Sequence, residues 1–316
     1  MLEGIFSVIF SVGFGYAVLR VTTPILFAGL GALISNKAGV INIALEGMML
    51  IGALTGVIIS AATQSAWIGL FAAVLSGALA GALMAYASLN LKTDIIMSGI
   101  AINLIGGGGT VFVLYLVAGD KGISSSLSSQ VLPKIGLPLI DKIPVISDIF
   151  SGHNVLTYFA LLSVFLIYVF LYKTPLGLRI RAVGENEHAA DSVGVSVNKV
   201  KYIALILSGV FAGFGGAYMS MGYVSWFSKN MTVGRGFFGL AAEAMGGGSP
   251  IGTLLATLLF GFADALSNSL QSLKIPAEFV QMLPYVVTVI GLVLYASQKM
   301  GQVKRIKKQK INNGGK

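Results

Sequence analysis

Apolar residues run along this chain in stretches of about twenty, separated by short polar clusters. A stretch of that length crosses a hydrocarbon core of roughly 30 Å as an α-helix, which satisfies its own backbone hydrogen bonds there. Ten such segments are predicted: Ile5 to Leu19, Val21 to Ser35, Gly39 to Ala61, Trp67 to Leu89, Ile95 to Ala118, Val155 to Tyr172, Tyr202 to Val224, Phe237 to Gly247, Ile251 to Leu270, and Phe279 to Tyr295. The second is short and contains Pro24, and the eighth is too short to span unaided. Both are expected as broken or partly unwound helices held by neighbours. The expected fold class is all-α: a polytopic helical membrane protein of about ten transmembrane helices, with residues 1–316 forming a single integral membrane domain.

Composition agrees, with 55% hydrophobic and 10% charged residues against roughly a quarter charged in soluble domains. The first segment has neither a basic flank nor a small-residue cleavage site, so it reads as a retained span and not a signal peptide. The absence of cysteine removes disulfides, thiol catalysis and cysteine metal sites. His153 and His188 are far apart and outside the spans, so no metal centre is expected either.

The basic residues set an orientation. With the C-terminus inside, Lys37, Lys92, Lys173, Arg179, Arg181, Lys199, Lys201 and the seven lysines and arginines of a basic tail, 298–316, are cytoplasmic. Arg20, Lys121, Lys134, Lys142, Lys229, Arg235 and Lys274 are then outside. That bias predicts both termini in the cytoplasm, residues 119–154 as an extracellular loop and 173–201 as a cytoplasmic one, in the plasma membrane. It also explains the net charge of +9 through topology and anionic headgroups, so nucleic acid is not an expected partner.

Ten spans divide five plus five, and Ala44-Leu45-Glu46-Gly47-Met48 in the third is echoed by Ala241-Ala242-Glu243-Ala244-Met245 in the eighth. Equivalent positions running in opposite directions are what an inverted-topology repeat requires.

Three acidic residues, Glu46, Glu243 and Asp264, fall inside spans. A carboxylate at the bilayer centre costs about 2.5–3.5 kcal/mol, so such groups face a cavity or a partner. Helix rise puts Glu46 about 10 Å and Asp264 about 20 Å from the inner ends of their spans, with only Glu243 near the midplane. Asn42 and Asn103 add two donors and an acceptor each. These five are candidate substrate-pathway residues, hydrogen bonding within the bundle being the other open reading. Tyr223, Trp226 and Phe227 read as an interfacial aromatic belt. Gly106 to Gly109 read as close helix packing. No phosphate-binding loop, His-Glu-x-x-His or nucleophile elbow occurs, so no enzyme activity and no cofactor are expected in this chain.

The exception to the apolar pattern is the charged island from Lys173 to Lys201. Gly184, Glu185, Asn186 and Glu187 open a short stretch, His188 to Val193, that ends at Gly194, as acidic starts and glycine ends favour for a brief helix. Ala189, Ala190 and Val193 can share one small face for docking in a partner's groove; a solvated loop is the alternative.

These residues carry a resemblance. Arg181-Ala182-Val183-Gly184-Glu185-Asn186, Ala189-Ala190, Gly194-Val195-Ser196-Val197, Lys201, Ser208-Gly209, Ala212-Gly213 and Gly216-Ala217 resemble the coupling loop of permease subunits of ABC importers, in the family serving branched-chain amino acids, simple sugars and nucleosides. The blocks Ser35 to Ala53, Thr93 to Ile105 and Gly234 to Leu266 resemble its nucleoside-type branch. The resemblance implies a second, often different, permease subunit, a separate ATP-binding subunit that receives Gly184, Glu185, Asn186, His188, Ala189, Ala190, Asp191 and Gly194, and an extracellular substrate-binding lipoprotein. It implies import of nucleosides by alternating access. A simple-sugar permease and a gradient-driven secondary transporter are the alternatives.

Overall fold

The computed structural model describes residues 11–136, 144–271 and, further on, 282, 286, 288–291, 293 and 297. The basic tail and most of the segment Phe279 to Tyr295 lie outside the described residues. So do the seven residues 137–143 of the 119–154 loop.

The described chain is mostly helical. Its helices are α1 (Val12–Lys37), α2 (Leu45–Thr63), α3 (Ala66–Ala85), α4 (Ile95–Leu104), α5 (Thr110–Ala118), α6 (Pro144–Phe150), α7 (Val155–Lys173), α8 (Pro175–Glu185), α9 (Glu187–Ser192), α10 (Val197–Tyr218), α11 (Arg235–Met245) and α12 (Pro250–Gln271). A single wide turn extends α3 to Asn90 and α10 to Tyr223, and another, Ile105–Gly109, joins α4 to α5. Among the described residues seven continuous helical stretches are long and apolar enough to cross a bilayer. Among the described residues, strand is confined to a two-residue pairing of β1 (Lys134–Ile135) with β2 (His153–Asn154).

The first correction concerns α1, because the segments Ile5 to Leu19 and Val21 to Ser35 are, where described, one helix of 26 residues. Charge and hydropathy alone place a break at Arg20 and put that residue in an outer loop. Arg20 instead lies within α1, its guanidinium 4.5 Å above the Tyr223 ring, and an aromatic face is a favourable partner for a desolvated cation. Pro24 removes one backbone donor without breaking the helix, and the Thr23 hydroxyl donates to the Leu19 carbonyl at 2.8 Å. Residues 21–35 are all buried, so α1 is the central post of the bundle.

This fusion has a topological consequence. The Tyr16 ring stacks on His153 at 3.9 Å and its hydroxyl donates to the Gly152 carbonyl at 3.1 Å, so α1 begins at the end carrying the 119–154 loop. Lys37 stands at the opposite end, with the 173–201 segment. The side on which residue 1 sits lies outside the described residues.

Close helix contacts are made by glycine. On α3, Gly77 and Gly81 are four residues apart, as are Gly209 and Gly213 on α10. A Cβ on Gly77 would stand 2.3 Å from the Gly209 carbonyl oxygen, and one on Gly209 would stand 2.2 Å from that of Gly77. Paired small-xxx-small faces bring backbones together where lipid supplies no hydrophobic drive to do so. Of the four glycines at 106–109, Gly106 alone behaves this way, its absent Cβ falling 2.4 Å from Gly47 Cα, while Gly107 and Gly108 face open space. Around α1 the rings of Phe27, Phe159, Phe211 and Phe214 pack with centroids 5.0–6.3 Å apart.

The echo between Glu46 and Glu243 does not mark equivalent positions. Glu46 lies in the first turn of α2 and Glu243 near the end of α11.

Candidate functional site

The predicted eighth segment is α11, a half-length helix of 11 residues, about 16 Å long. Its start is held inside the bundle by a carboxylate from another helix. Glu46 Oε1 accepts from the Thr232 hydroxyl at 2.6 Å and the Gly234 amide at 2.8 Å, and Oε2 accepts from the Gly236 amide at 2.7 Å. The first amides of a helix have no partner within it, and its N-terminal dipole favours a negative charge. Glu46 answers both needs and is itself buried. Gly234 takes φ +78°, the left-handed turn that lets the chain enter the helix beneath the carboxylate.

Arg235 is the second correction. The charge pattern placed it outside, but it is 9% exposed and its Nη2 pairs with Asp264 Oδ2 at 2.8 Å, while Nη1 donates to the Thr232 carbonyl at 3.3 Å. Two opposite charges within the apolar layer are tolerable when they neutralise each other. Glu46, Arg235 and Asp264 thus converge on one end of α11.

Glu243 is the third. It was expected near the midplane, but it lies beside the last turn of α1, where Asn36 Nδ2 donates to both carboxylate oxygens at 2.9 Å. The reason is that α11 spans only half the layer, starting at the depth of Glu46 and running toward the Lys37 end.

Both asparagines pin the unwound stretch leading into α2. Asn42 Nδ2 donates to the Ser208 hydroxyl at 2.8 Å and its Oδ1 accepts from the Ala44 amide at 3.0 Å. Asn103 accepts from the Gly47 amide at 2.7 Å and donates to the Ile43 carbonyl at 2.9 Å. Asn42, Glu46 and Asn103 therefore meet on residues 42–47, whereas Glu243 and Asp264 are held at opposite ends of α11. The sequence alone gives the partners Asn36, Ser208, Thr232 and Arg235 no pathway role. Arg235 had a signal: an acid inside a span requires a cation, and Arg235 stands at the edge of the neighbouring apolar segment.

The charged island folds as α8 and α9. Thr174 caps α8, its hydroxyl accepting from the Gly177 amide at 3.1 Å, with Pro175 in the first position, where its missing amide is no loss. Asn186 caps α9 by accepting from the Ala189 amide at 3.0 Å, and Gly194 ends it at φ +82°. Lys201 forms an ion pair with Glu187 and holds its carboxyl below the usual carboxylate range, first through the hydrogen bond and then through charge. Glu185, His188, Ala189, Asp191 and Val193 are exposed. Ala190 is the fourth correction: it is 4% exposed and faces inward, away from the Ala189 and Val193 surface. The shared apolar face expected of these three residues is absent, because packing against the body of the protein fixes which side of this short helix turns in.

Gly184 is a contact residue within the chain. Its missing Cβ would fall 2.2 Å from the Lys37 carbonyl oxygen, and Gly39, at φ +75°, lies against it. Gly184→Ala should therefore push α8 off the end of α1 and cost roughly 1–3 kcal/mol, read as a lower melting temperature of the detergent-solubilised protein.

A family model described as "Branched-chain amino acid transport system / permease component" matches residues 16–295. The chain belongs to that permease family. It is 37% identical to the guanosine ABC transporter permease protein NupQ of Bacillus subtilis, over 87% of this chain and 89% of that protein. The nucleoside ABC transporter permease protein NupC of Lactococcus lactis is 36% identical over the same shares. TsgC13 of Haloferax volcanii, an ABC transporter permease provisionally named for glucose, is 36% identical over 85% of this chain and 81% of its own length. PsaBC from Streptococcus pneumoniae, a solved structure, superimposes with a TM-score of 0.46 at 14% identity, covering 92% of this chain and 95% of that one.

Proposed function

We propose that this permease is the membrane-spanning subunit of an ATP-driven importer that carries nucleosides into the cell by alternating access. Carrying the reading is the similarity, at 36–37% identity over 87% of the chain, to permeases named for guanosine and nucleosides. The α8–α9 segment supports it as the contact with a separate ATP-binding subunit, because a capped helix with an exposed face is anchored through Gly184 to the α1–α2 junction. In this reading that end is cytoplasmic, the 119–154 end receives an extracellular binding protein, and a second permease subunit completes the pathway. Asn42, Glu46, Asn103, Glu243 and Asp264 shape that pathway by holding α11 and the start of α2. They do so as positioning groups, since each already has a protein partner. A sugar substrate is the second reading, favoured by TsgC13.

The test is uptake of radiolabelled guanosine, adenosine and uridine by cells with and without this chain, with excess ribose as competitor and ATP depleted in a parallel arm. ATP-dependent uptake that is lost with the chain and indifferent to ribose is expected. Competition by ribose would move the substrate to sugars, and uptake that responds to ionophores and not to ATP would mean a gradient-driven carrier.

The α9 face gives a sharper prediction. Ala189→Arg should leave protein level and melting temperature unchanged and lower uptake at least about tenfold, the weight of one interface hot spot. Ala190→Arg should instead reduce folded protein, since Ala190 is buried.

A further inference from the structure

Helix α8 and the start of α10 enclose an open groove of about 360 Å³ beside α9, lined by Arg179 and Lys199 and by the apolar Leu176, Val193, Val200 and Ile203. The acids of the island stand elsewhere. Glu187, Asp191 and His188 line a neighbouring recess, which meets the groove at Ser196, and Glu187 pairs with Lys201. Arg181 lies over the Tyr172 ring. The groove is thus left with positive charge alone, and among the described residues neither Arg179 nor Lys199 has an ion-pair partner.

We propose that this groove binds one anionic phospholipid, its phosphate between Arg179 and Lys199 and an acyl chain along Leu176 and Ile203. The register favours lipid over a protein partner. Lys199 and Ile203 are four residues apart on one face of α10, so the apolar position lies about 6 Å deeper along the spanning helix than the cation. Ile203 is 36% exposed, and α10 carries on from there into the apolar layer. Charge at headgroup depth and hydrocarbon contact one turn below is the profile of a phospholipid, whereas an acidic protein surface would leave Ile203 uncovered. On α8, Leu176 and Arg179 are likewise one turn apart and share a face. The inference rests on the membrane embedding of the chain and not on its substrate or its ATP-binding partner, so its failure leaves the proposed function standing.

The experiment uses the full chain, basic tail included, purified in detergent with any subunits that accompany it. Phosphatidylglycerol is titrated against phosphatidylcholine, with inorganic phosphate as a third arm, while thermal unfolding and native mass spectra are recorded. Phosphatidylglycerol is expected to raise the melting temperature saturably and to be retained at one molecule per chain. Arg179→Gln/Lys199→Gln should unfold as wild type does in phosphatidylcholine and need about thirtyfold more phosphatidylglycerol, the effect of two basic residues at an anionic surface. Should the double variant not fold, Lys199→Gln against Lys199→Arg carries the same comparison, with only the arginine restoring the response. An equal response to phosphatidylcholine, or an undiminished response in folded variants, overturns the proposal. So does protection by phosphate alone, which would leave an anion site without a lipid. Loss of an accompanying subunit with the lipid response intact would mean a protein occupies the groove and would also overturn it.

Discussion

Glu46→Gln is expected to cost roughly 2–4 kcal/mol and to abolish transport, although it changes one oxygen to an amide nitrogen. The two carboxylate oxygens face donors only: the Thr232 hydroxyl, the Gly234 amide and the Gly236 amide. Whichever way a glutamine side chain turns, its NH₂ meets at least one of those donors, and a buried donor left unsatisfied costs about 1–3 kcal/mol. Losing the negative charge at a helix N-terminus in a buried setting adds up to about 2 kcal/mol. Glu243→Gln is the informative comparison, because the single nitrogen donor of Asn36 that serves both oxygens can be satisfied by the one that remains. A much lower melting temperature and lost uptake for Glu46→Gln, with a smaller change for Glu243→Gln, is the expected pattern. Equal behaviour of the two variants would mean that α11 is not held by its start.

The second large effect is expected at the crossing of α3 and α10. Gly209→Leu should leave little folded protein, and Gly77→Leu should do the same. Even one methyl at Gly209 has no room, since it would stand 2.2 Å from a backbone carbonyl that cannot swing aside; overpacking of this kind costs about 1–3 kcal/mol for small additions. A leucine adds three more carbons on the same line of approach. Gly107→Leu is the control, because nothing lies within 4 Å of its Cβ position. Size-exclusion profiles and membrane yields should therefore separate Gly77 and Gly209 from Gly107, and a monodisperse Gly209→Leu protein would overturn the packing argument.

Sequence alone located most of the helices because a bilayer imposes one length and one polarity on every span. Trp67 to Leu89, Ile95 to Ala118, Val155 to Tyr172 and Ile251 to Leu270 lie within a few residues of the helical stretches Ala66–Asn90, Ile95–Ala118, Val155–Lys173 and Pro250–Leu270. The same rule failed at Arg20 and Arg235. Hydropathy treats an arginine as the edge of a span, yet each of these is neutralised or covered by a residue far along the chain, Tyr223 in one case and Asp264 in the other. The candidate acids were found by residue type, but their roles were not, since Thr232 is 186 residues from Glu46 and Asn36 is 207 from Glu243. The inward turn of Ala190 was beyond a helical-wheel argument for a related reason. A six-residue helix has two usable faces, and only the surrounding helices choose between them.

The half-length helix also bears on how the chain is assembled as it leaves the ribosome. At about 16 Å, α11 falls well short of the roughly 30 Å needed to partition into lipid as an independent span. Its entry amides find their acceptor on Glu46, a residue synthesised nearly two hundred positions earlier. The late segment can settle only after α1 and α2 stand in the bilayer to receive it, so the order of translation and the order of burial are the same. A C-terminal fragment beginning after α10 and produced alone would keep its Arg235–Asp264 pair but present Glu243 without Asn36 and a helix start without Glu46 to lipid, and it is the kind of orphan that membrane quality control removes.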